Sequence, residues 1–468
     1  MYRVTRFALF GVLAMGLLPA AESADPSRGR EPTIPLLGVE DAWRALPPVE
    51  SGSGQPLPSW ARALAGPLPR TTAALLRLDF VHRTRNPIDP KLRAQMRWVA
   101  AHANGCDYSE AYALADARRA GLDDSTIDAL QKADHARLSE AEKAALEFAR
   151  KMTVESSNVT DAEFARLVGH YGEDKVVAMV LLMAYSNFQD RLLACLGSPL
   201  EPDGPLPPLD VAFAPSATQS HMLSFPKSRT ALGKPTGKEL IADEPEWAAV
   251  GYDALQEKLE RQRGRTTRVR VPSWEEVVRS LPKDFTPSKN PVRIVWTLVC
   301  LGHQPELASA WETLMRTAGA ESRGKLDRVL SQGLFWVVTK TIDCPYCMGH
   351  CEMNWEVAGL TKPEIAERSK ALASDDWSAF PPEEQRVFAF ARKLTRSPAS
   401  VTHEDVEAIQ RDFGVDRAVN VLVYASRCNY MVRVSNGFQL SLERDNVFLD
   451  YYSEAPTQPK PAPAASGR

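Results

Sequence analysis

Long runs of one charge are missing from this chain of 468 residues. Lys and Arg number 56 against 59 Asp and Glu, for a net charge of −3. With no Lys/Arg cluster, the electrostatic footprint of a nucleic-acid-binding protein is absent. After the N-terminal stretch, no apolar run is long enough to span a bilayer. Cysteine is sparse as well: seven in the whole chain is not the density of a disulfide-built domain. Strand signals are few. What remains is the ordinary globular mix, 44% hydrophobic and 25% charged, with length for two or three domains.

Proline is abundant, at 35 residues, and crowds particular places. Residues 24–69 are rich in Pro and Gly, with a short helix expected at Val39–Leu46. Trp60–Leu78 has a helical pattern broken by Pro67 and Pro69. A long helical array over 70–200 is followed by a linker over 201–289, opened by Pro202, Pro205, Pro207 and Pro208, with helical segments inside it. The helical pattern resumes over 290–445. The tail over 446–468, with Pro456, Pro459, Pro461 and Pro463, has the composition of a disordered segment. Residues 1–23 have the form of an export signal. Arg3 and Arg6 precede the apolar stretch Phe7–Ala21, and Ala21-Glu22-Ser23 offers small residues for cleavage after Ser23. The expected location is secreted or periplasmic, with no membrane span after cleavage.

Three of the seven cysteines lie in Cys344-Pro345-Tyr346-Cys347-Met348-Gly349-His350-Cys351. Cysteines at i and i+3 face the same way on the first turn of a helix. A thiolate there is stabilised by the helix dipole and the free N–H groups, so a lowered pKa is expected for Cys347. His350, about one turn on, could serve as base or ion partner to that thiol. This is the make-up of a dithiol redox centre. Two other readings use the same residues. A structural disulfide would close a very short loop and stabilise little. A zinc site from Cys344, Cys347, His350 and Cys351 has suitable ligand types but no second knuckle. Haem attachment needs His next to the second Cys, where Met348 stands. No cofactor is expected.

The two helical arrays repeat each other. Phe148-Ala149-Arg150-Lys151-Met152-Thr153 recurs as Phe390-Ala391-Arg392-Lys393-Leu394-Thr395, and Val159-Thr160 as Val401-Thr402. Asn187-Phe188 and Arg191 recur as Asn429-Tyr430 and Arg433, and Pro58-Ser59-Trp60 resembles Pro272-Ser273-Trp274. Cys106-Asp107-Tyr108-Ser109 falls on Cys344-Pro345-Tyr346-Cys347. Ser109 therefore stands where Cys347 stands, and Tyr112 where His350 stands. The first array has no dithiol, and Cys106 reads as a small buried hydrophobe.

These motifs, each followed by a Gly-Leu turn and the Phe-Ala-Arg-Lys helix, resemble the carboxymuconolactone decarboxylase superfamily on its alkylhydroperoxidase D (AhpD)-like side, here in tandem. The resemblance implies an all-α fold of two helical-bundle repeats packed as a pseudo-dimer. It also implies reduction of a small hydroperoxide or disulfide substrate, with a thiol as reductant. By the same resemblance Cys347 is the attacking cysteine and Cys344 the resolving one. The sequence departs from the family at two positions. Cys351 stands where redox members carry a histidine, with His350 one residue early. Gln332 stands where they carry a relay glutamate, and Ala94 takes that place in the first array. Cys351 and Gln332 are therefore auxiliary candidates. Decarboxylation finds no catalytic residue in the sequence. A non-catalytic helical scaffold is the reading from a different class.

Elsewhere, His102 and Glu110 read as ordinary polar residues. Arg191 and Arg433 are expected to pair with carboxylates in a buried helix. Trp336 and Trp355 read as core or oligomer contacts, and Cys195, Cys300 and Cys428 as buried apolar cysteines. The linker, if flexible over about 80 residues, reaches roughly 50 Å. That permits face-to-face packing of the arrays, with the helices of 246–290 against the interface. A homo-trimer of such chains is the expected assembly.

Overall fold

A computed structural model describes residues 32–134, 136, 138–214, 231–237 and 246–452. The export signal and the tail from Glu454 lie outside them. Among the described residues the fold is all-α, with one two-stranded antiparallel sheet, β1 (Val49–Ser51) on β2 (Ala212–Phe213). After α1 (Val39–Ala45), the first array runs α2 (Ser59–Leu64), α3 (Pro69–Thr84), α4 (Pro90–Asn104), α5 (Asp107–Arg119), α6 (Asp124–Gln131), α7 (Glu140–Val154), α8 (Asp161–Tyr171) and α9 (Glu173–Leu196). The linker holds α10 (Tyr252–Arg263) and α11 (Trp274–Ser280). The second array runs α12 (Val295–His303), α13 (Pro305–Glu321), α14 (Arg328–Ile342), α15 (Pro345–Val357), α16 (Lys362–Ala373), α17 (Pro382–Arg396), α18 (His403–Phe413) and α19 (Val415–Phe438), followed by α20 (Val447–Tyr451).

The helix starts are written in the sequence. Proline occupies the first turn of α3, α4, α13 and α15, where its missing N–H costs nothing. Asp89 and Asp327 accept backbone N–H groups at the starts of α4 and α14. Thr160 with Glu163, and Thr402 with Asp405, form capping boxes on α8 and α18. Two ends differ between the arrays. Left-handed Gly105 and Gly197 close α4 and α9, whereas left-handed Asp343 (φ 55°) and Gln439 (φ 48°) close α14 and α19. A side chain in that conformation costs roughly 1–2 kcal/mol.

α9 and α19, 24 residues each, are buried on nearly all sides and pack on one another at the centre. Their contacts fall in matched pairs. Asn187 Nδ2 donates to Thr153 Oγ1 and Asn429 Nδ2 to Thr395 Oγ1, both at 3.2 Å. Arg191 donates to Asn187 Oδ1 at 2.9 Å and crosses to the Thr395 carbonyl at 2.8 Å. Arg433 donates to Asn429 Oδ1 at 2.9 Å and crosses to the Thr153 carbonyl at 2.9 Å. The carboxylate partners expected for both arginines are therefore replaced by amide and carbonyl oxygens. A carboxylate is not needed because the last turns of α7 and α17 supply carbonyls aimed at the guanidinium groups. Burial lowers the pKa of both arginines, Arg191 to about 10.

The linker is packed in two ways. α10 lies on α15 and α16 of the second array. Arg268, just beyond it, spans the two arrays, donating to the carbonyls of Val159 (2.6 Å) and Gly437 (3.1 Å). Ser59 N and Val295 N, each just before a buried tryptophan (Trp60 and Trp296), donate to buried glutamates.

Candidate functional site

Cys344 is the N-cap of α15, as Cys106 is of α5. Cys347 follows on the first turn, and its Sγ lies 3.1 Å from Ser435 Oγ of α19. All three motif cysteines are free and buried, at 1%, 2% and 0% exposure for Cys344, Cys347 and Cys351. Burial raises the Cys347 thiol well above its ordinary range, and contact with Cys344 adds to the rise. The lowered pKa expected from the helix N-terminus is therefore overturned. A helix dipole contributes about 0.3–1 kcal/mol, less than one pK unit, whereas full burial moves a thiol by as much as 3–5 units. Cys351 is also held up by burial, and then by Cys428.

His350 does not turn to the thiols. Its Nε2 lies 2.7 Å from Glu443 Oε2, and its ring packs against Tyr346 and Phe448. Glu443 also accepts from Tyr346 Oη at 3.0 Å and Val295 N at 2.7 Å. Burial pushes the Glu443 carboxyl up, but the charge and hydrogen bond of His350 and the Val295 N–H outweigh it, leaving the pKa below the ordinary value. Gly349 permits the arrangement, since a Cβ there would come within 2.5 Å of Leu442, the residue that delivers Glu443. With His350 so engaged, the zinc reading loses its fourth ligand. Among the described residues no three His, Cys, Asp or Glu side chains converge to hold a metal.

A buried carboxylate is held in a similar way in the first array. Glu201 accepts from Tyr108 Oη and Tyr112 Oη, each at 2.7 Å, and from Ser59 N at 2.8 Å. Cys106 is pushed up to about 12 by burial and then by Asp190. His102 and Glu110 meet at 3.0 Å on the surface. Sequence reasoning missed both buried glutamates. A signal was available: counted in step from Arg191 and Arg433, Leu200-Glu201 falls on Leu442-Glu443.

A cavity of about 250 Å³ opens in the second array and is lined by His350 and Gln332. Gln332 Nε2 donates to Tyr424 Oη at 2.8 Å. Cys347 lies one turn along α15 from His350. Its partner Ser435 lies one turn along α19 from Met431, which also lines the cavity. Neither Cys344 nor Cys347 is itself among the residues lining the cavity. Glu312 of α13 faces the same space. It accepts from Thr297 Oγ1 at 3.4 Å, and burial raises its pKa. The cavity therefore combines a carboxyl held up in pKa with an imidazole on a carboxylate held down, a division that suits proton transfer.

Residues 69–151, spanning the Cys106 motif and ending in the Phe-Ala-Arg-Lys helix, match the model of the Carboxymuconolactone decarboxylase family. That stretch is AhpD-like. No curated protein matches the chain.

Proposed function

We propose that this chain, AhpD-like over residues 69–151, is an exported thiol–disulfide oxidoreductase working through Cys344 and Cys347 of its second array. We read the arrays as two copies of one unit packed face to face, the first having lost its second cysteine to Ser109. The observation that supports the proposal is the placement of two free cysteines three residues apart at the start of α15, Cys344 at its N-cap and Cys347 on its first turn.

With a disulfide substrate, the Cys347 sulfur attacks one substrate sulfur and releases a thiol. Cys344 then attacks Cys347 and releases the second thiol, leaving the Cys344–Cys347 disulfide. With an organic hydroperoxide, Cys347 takes the terminal oxygen as the O–O bond breaks, and the leaving alkoxide takes a proton to depart as an alcohol. Cys344 then displaces water from the sulfenic acid. Two equivalents of a thiol reductant restore the pair. His350, oriented by Glu443 and facing the cavity, is placed for the leaving oxygen rather than for the thiol. The Cys347 proton departs by way of Ser435.

One observation favours a second reading, a non-catalytic scaffold: the Cys347 thiol is buried, and burial pushes its pKa up, away from the reactive thiolate. Differential alkylation and peptide mass mapping after exposure to cumene hydroperoxide separate the two. A Cys344–Cys347 disulfide supports the redox reading, and unreacted thiols support the scaffold.

A further inference from the structure

The arrays differ most at the place where the second has its cavity. In the first array the space is filled by charge. Arg83 of α3 pairs with Asp79 at 3.3 Å and with Asp116 of α5 at 2.8 Å. Arg97 of α4 lies 3.9 Å from Asp116, and Tyr185 of α9 donates to Asp79 at 2.6 Å. Counted in step from the helix starts, every member of this plug is replaced in the second array. Arg83 becomes Gly319, Asp79 becomes Met315, Asp116 becomes Asn354, Arg97 becomes Phe335, and Tyr185 becomes Arg427. Two long cations and two anions are gone, and a cavity stands in their place.

The substitution leaves Arg427 without a counter-charge. Among the described residues no carboxylate lies within salt-bridge distance of it. Its guanidinium stacks over Tyr424 at 4.2 Å and touches the Met315 sulfur at 3.3 Å, while its Nε is buried without a hydrogen-bond partner. A buried donor left unmade costs about 1–3 kcal/mol, more when charged, so the site gains when an anion fills it. Trp296, Trp311, Phe335 and Phe448 give the cavity aromatic walls; Glu312 also lines it, as do Arg316 and Arg328, which donate to the Thr286 carbonyl and to Asn354 Oδ1. The volume is below the roughly 300–1,000 Å³ of pockets for drug-sized ligands.

We infer that the cavity binds a small molecule with an apolar or aryl body and a single carboxylate. Arg427 takes the carboxylate, the aromatic walls take the body, and Gln332 and His350 line the rest of the space. If the dithiol reading holds, on which this last step rests, the substrates are small organic hydroperoxides or disulfides that carry one acid group. Arg427 is then the residue that sets specificity.

Binding can be measured without turnover, because Trp296 and Trp311 report on the cavity. The full chain is titrated with phenylacetate and, separately, with its methyl ester, following tryptophan fluorescence. Phenylacetate is expected to bind at least tenfold more tightly than the ester. Arg427→Gln removes that preference and Arg427→Lys keeps part of it, with an unchanged far-ultraviolet spectrum and unfolding midpoint as the check on folding. Equal binding of acid and ester, or an acid preference that survives Arg427→Gln, overturns the inference. Binding of the acid without any thiol turnover would end the redox reading and leave this site standing. Turnover with no acid preference would do the reverse.

Discussion

His350 meets Glu443 at 2.7 Å in the second array, where Tyr112 meets Glu201 at 2.7 Å in the first. One buried carboxylate ties the Cys helix to the chain that follows the long central helix, and only the partner's chemistry has changed. Removing Glu443 leaves His350, Tyr346 Oη and Val295 N without their acceptor, so Glu443→Ala should cost about 3–5 kcal/mol in urea unfolding. His350→Tyr copies the first array and should cost far less, about 1 kcal/mol. The contribution of Glu443 also depends on pH. Its folded pKa lies below the ordinary value of 4.5, so its stabilisation is present above that value and lost as pH falls through the folded pKa. Glu443→Gln should flatten the acid limb of the stability curve.

Glu312 runs the other way. Its folded pKa lies above the ordinary 4.5, so the fold favours the protonated form, and that advantage is lost as pH rises through the folded pKa. Glu312→Gln should therefore be more stable than the parent at pH 8 and nearly equal to it at pH 4. The gain is about 1.4 kcal/mol for each pK unit by which burial lifts the carboxyl. Unfolding midpoints at the two pH values check this.

The thiol should behave as a buried one. Iodoacetamide should label Cys347 of the folded protein slowly at pH 7, with a rate still rising above pH 9. His350→Ala should leave that profile unchanged, because the imidazole is committed to Glu443. A profile that moves with the histidine would place His350 beside the thiol after all.

The left-handed Gln439 has a glycine, Gly197, at its counterpart. Gln439→Gly should stabilise the protein by roughly 0.5–1 kcal/mol, the relief of a side chain held at positive φ less the greater freedom of the unfolded chain. Asp343→Gly should gain less, since it also loses the 2.7 Å pair with Lys258. The measurement is equilibrium unfolding of both variants.

Much of this was legible in the sequence, and the reasons are local. Caps such as Thr160 and Thr402, first-turn prolines and the Phe-Ala-Arg-Lys helix announce the arrays because they act within a turn or two. The placement of Cys344 and Cys347 at the start of one helix follows from their i, i+3 spacing. The remainder depended on distant chain. Glu443 lies far along the sequence from His350, so no spacing rule could pair them. The thiol pKa followed burial rather than the helix dipole, and burial is decided by α19. The partners of Arg191 and Arg433 are carbonyls of the opposite array, which no side-chain pattern can show. The emptied plug was readable only as paired substitutions, such as Arg83 against Gly319, once the helix registers were fixed.

Cys344 and Cys347 as the reactive pair are put to the test by thiol-dependent turnover of an organic hydroperoxide, measured for the parent, Cys347→Ser and Cys106→Ser under one set of conditions. Turnover is expected in the parent, with loss of at least a hundredfold in Cys347→Ser, less than a twofold change in Cys106→Ser, and a Cys344–Cys347 disulfide trapped in the parent. Equal losses in both variants, or no turnover and no disulfide in the parent, would contradict that assignment.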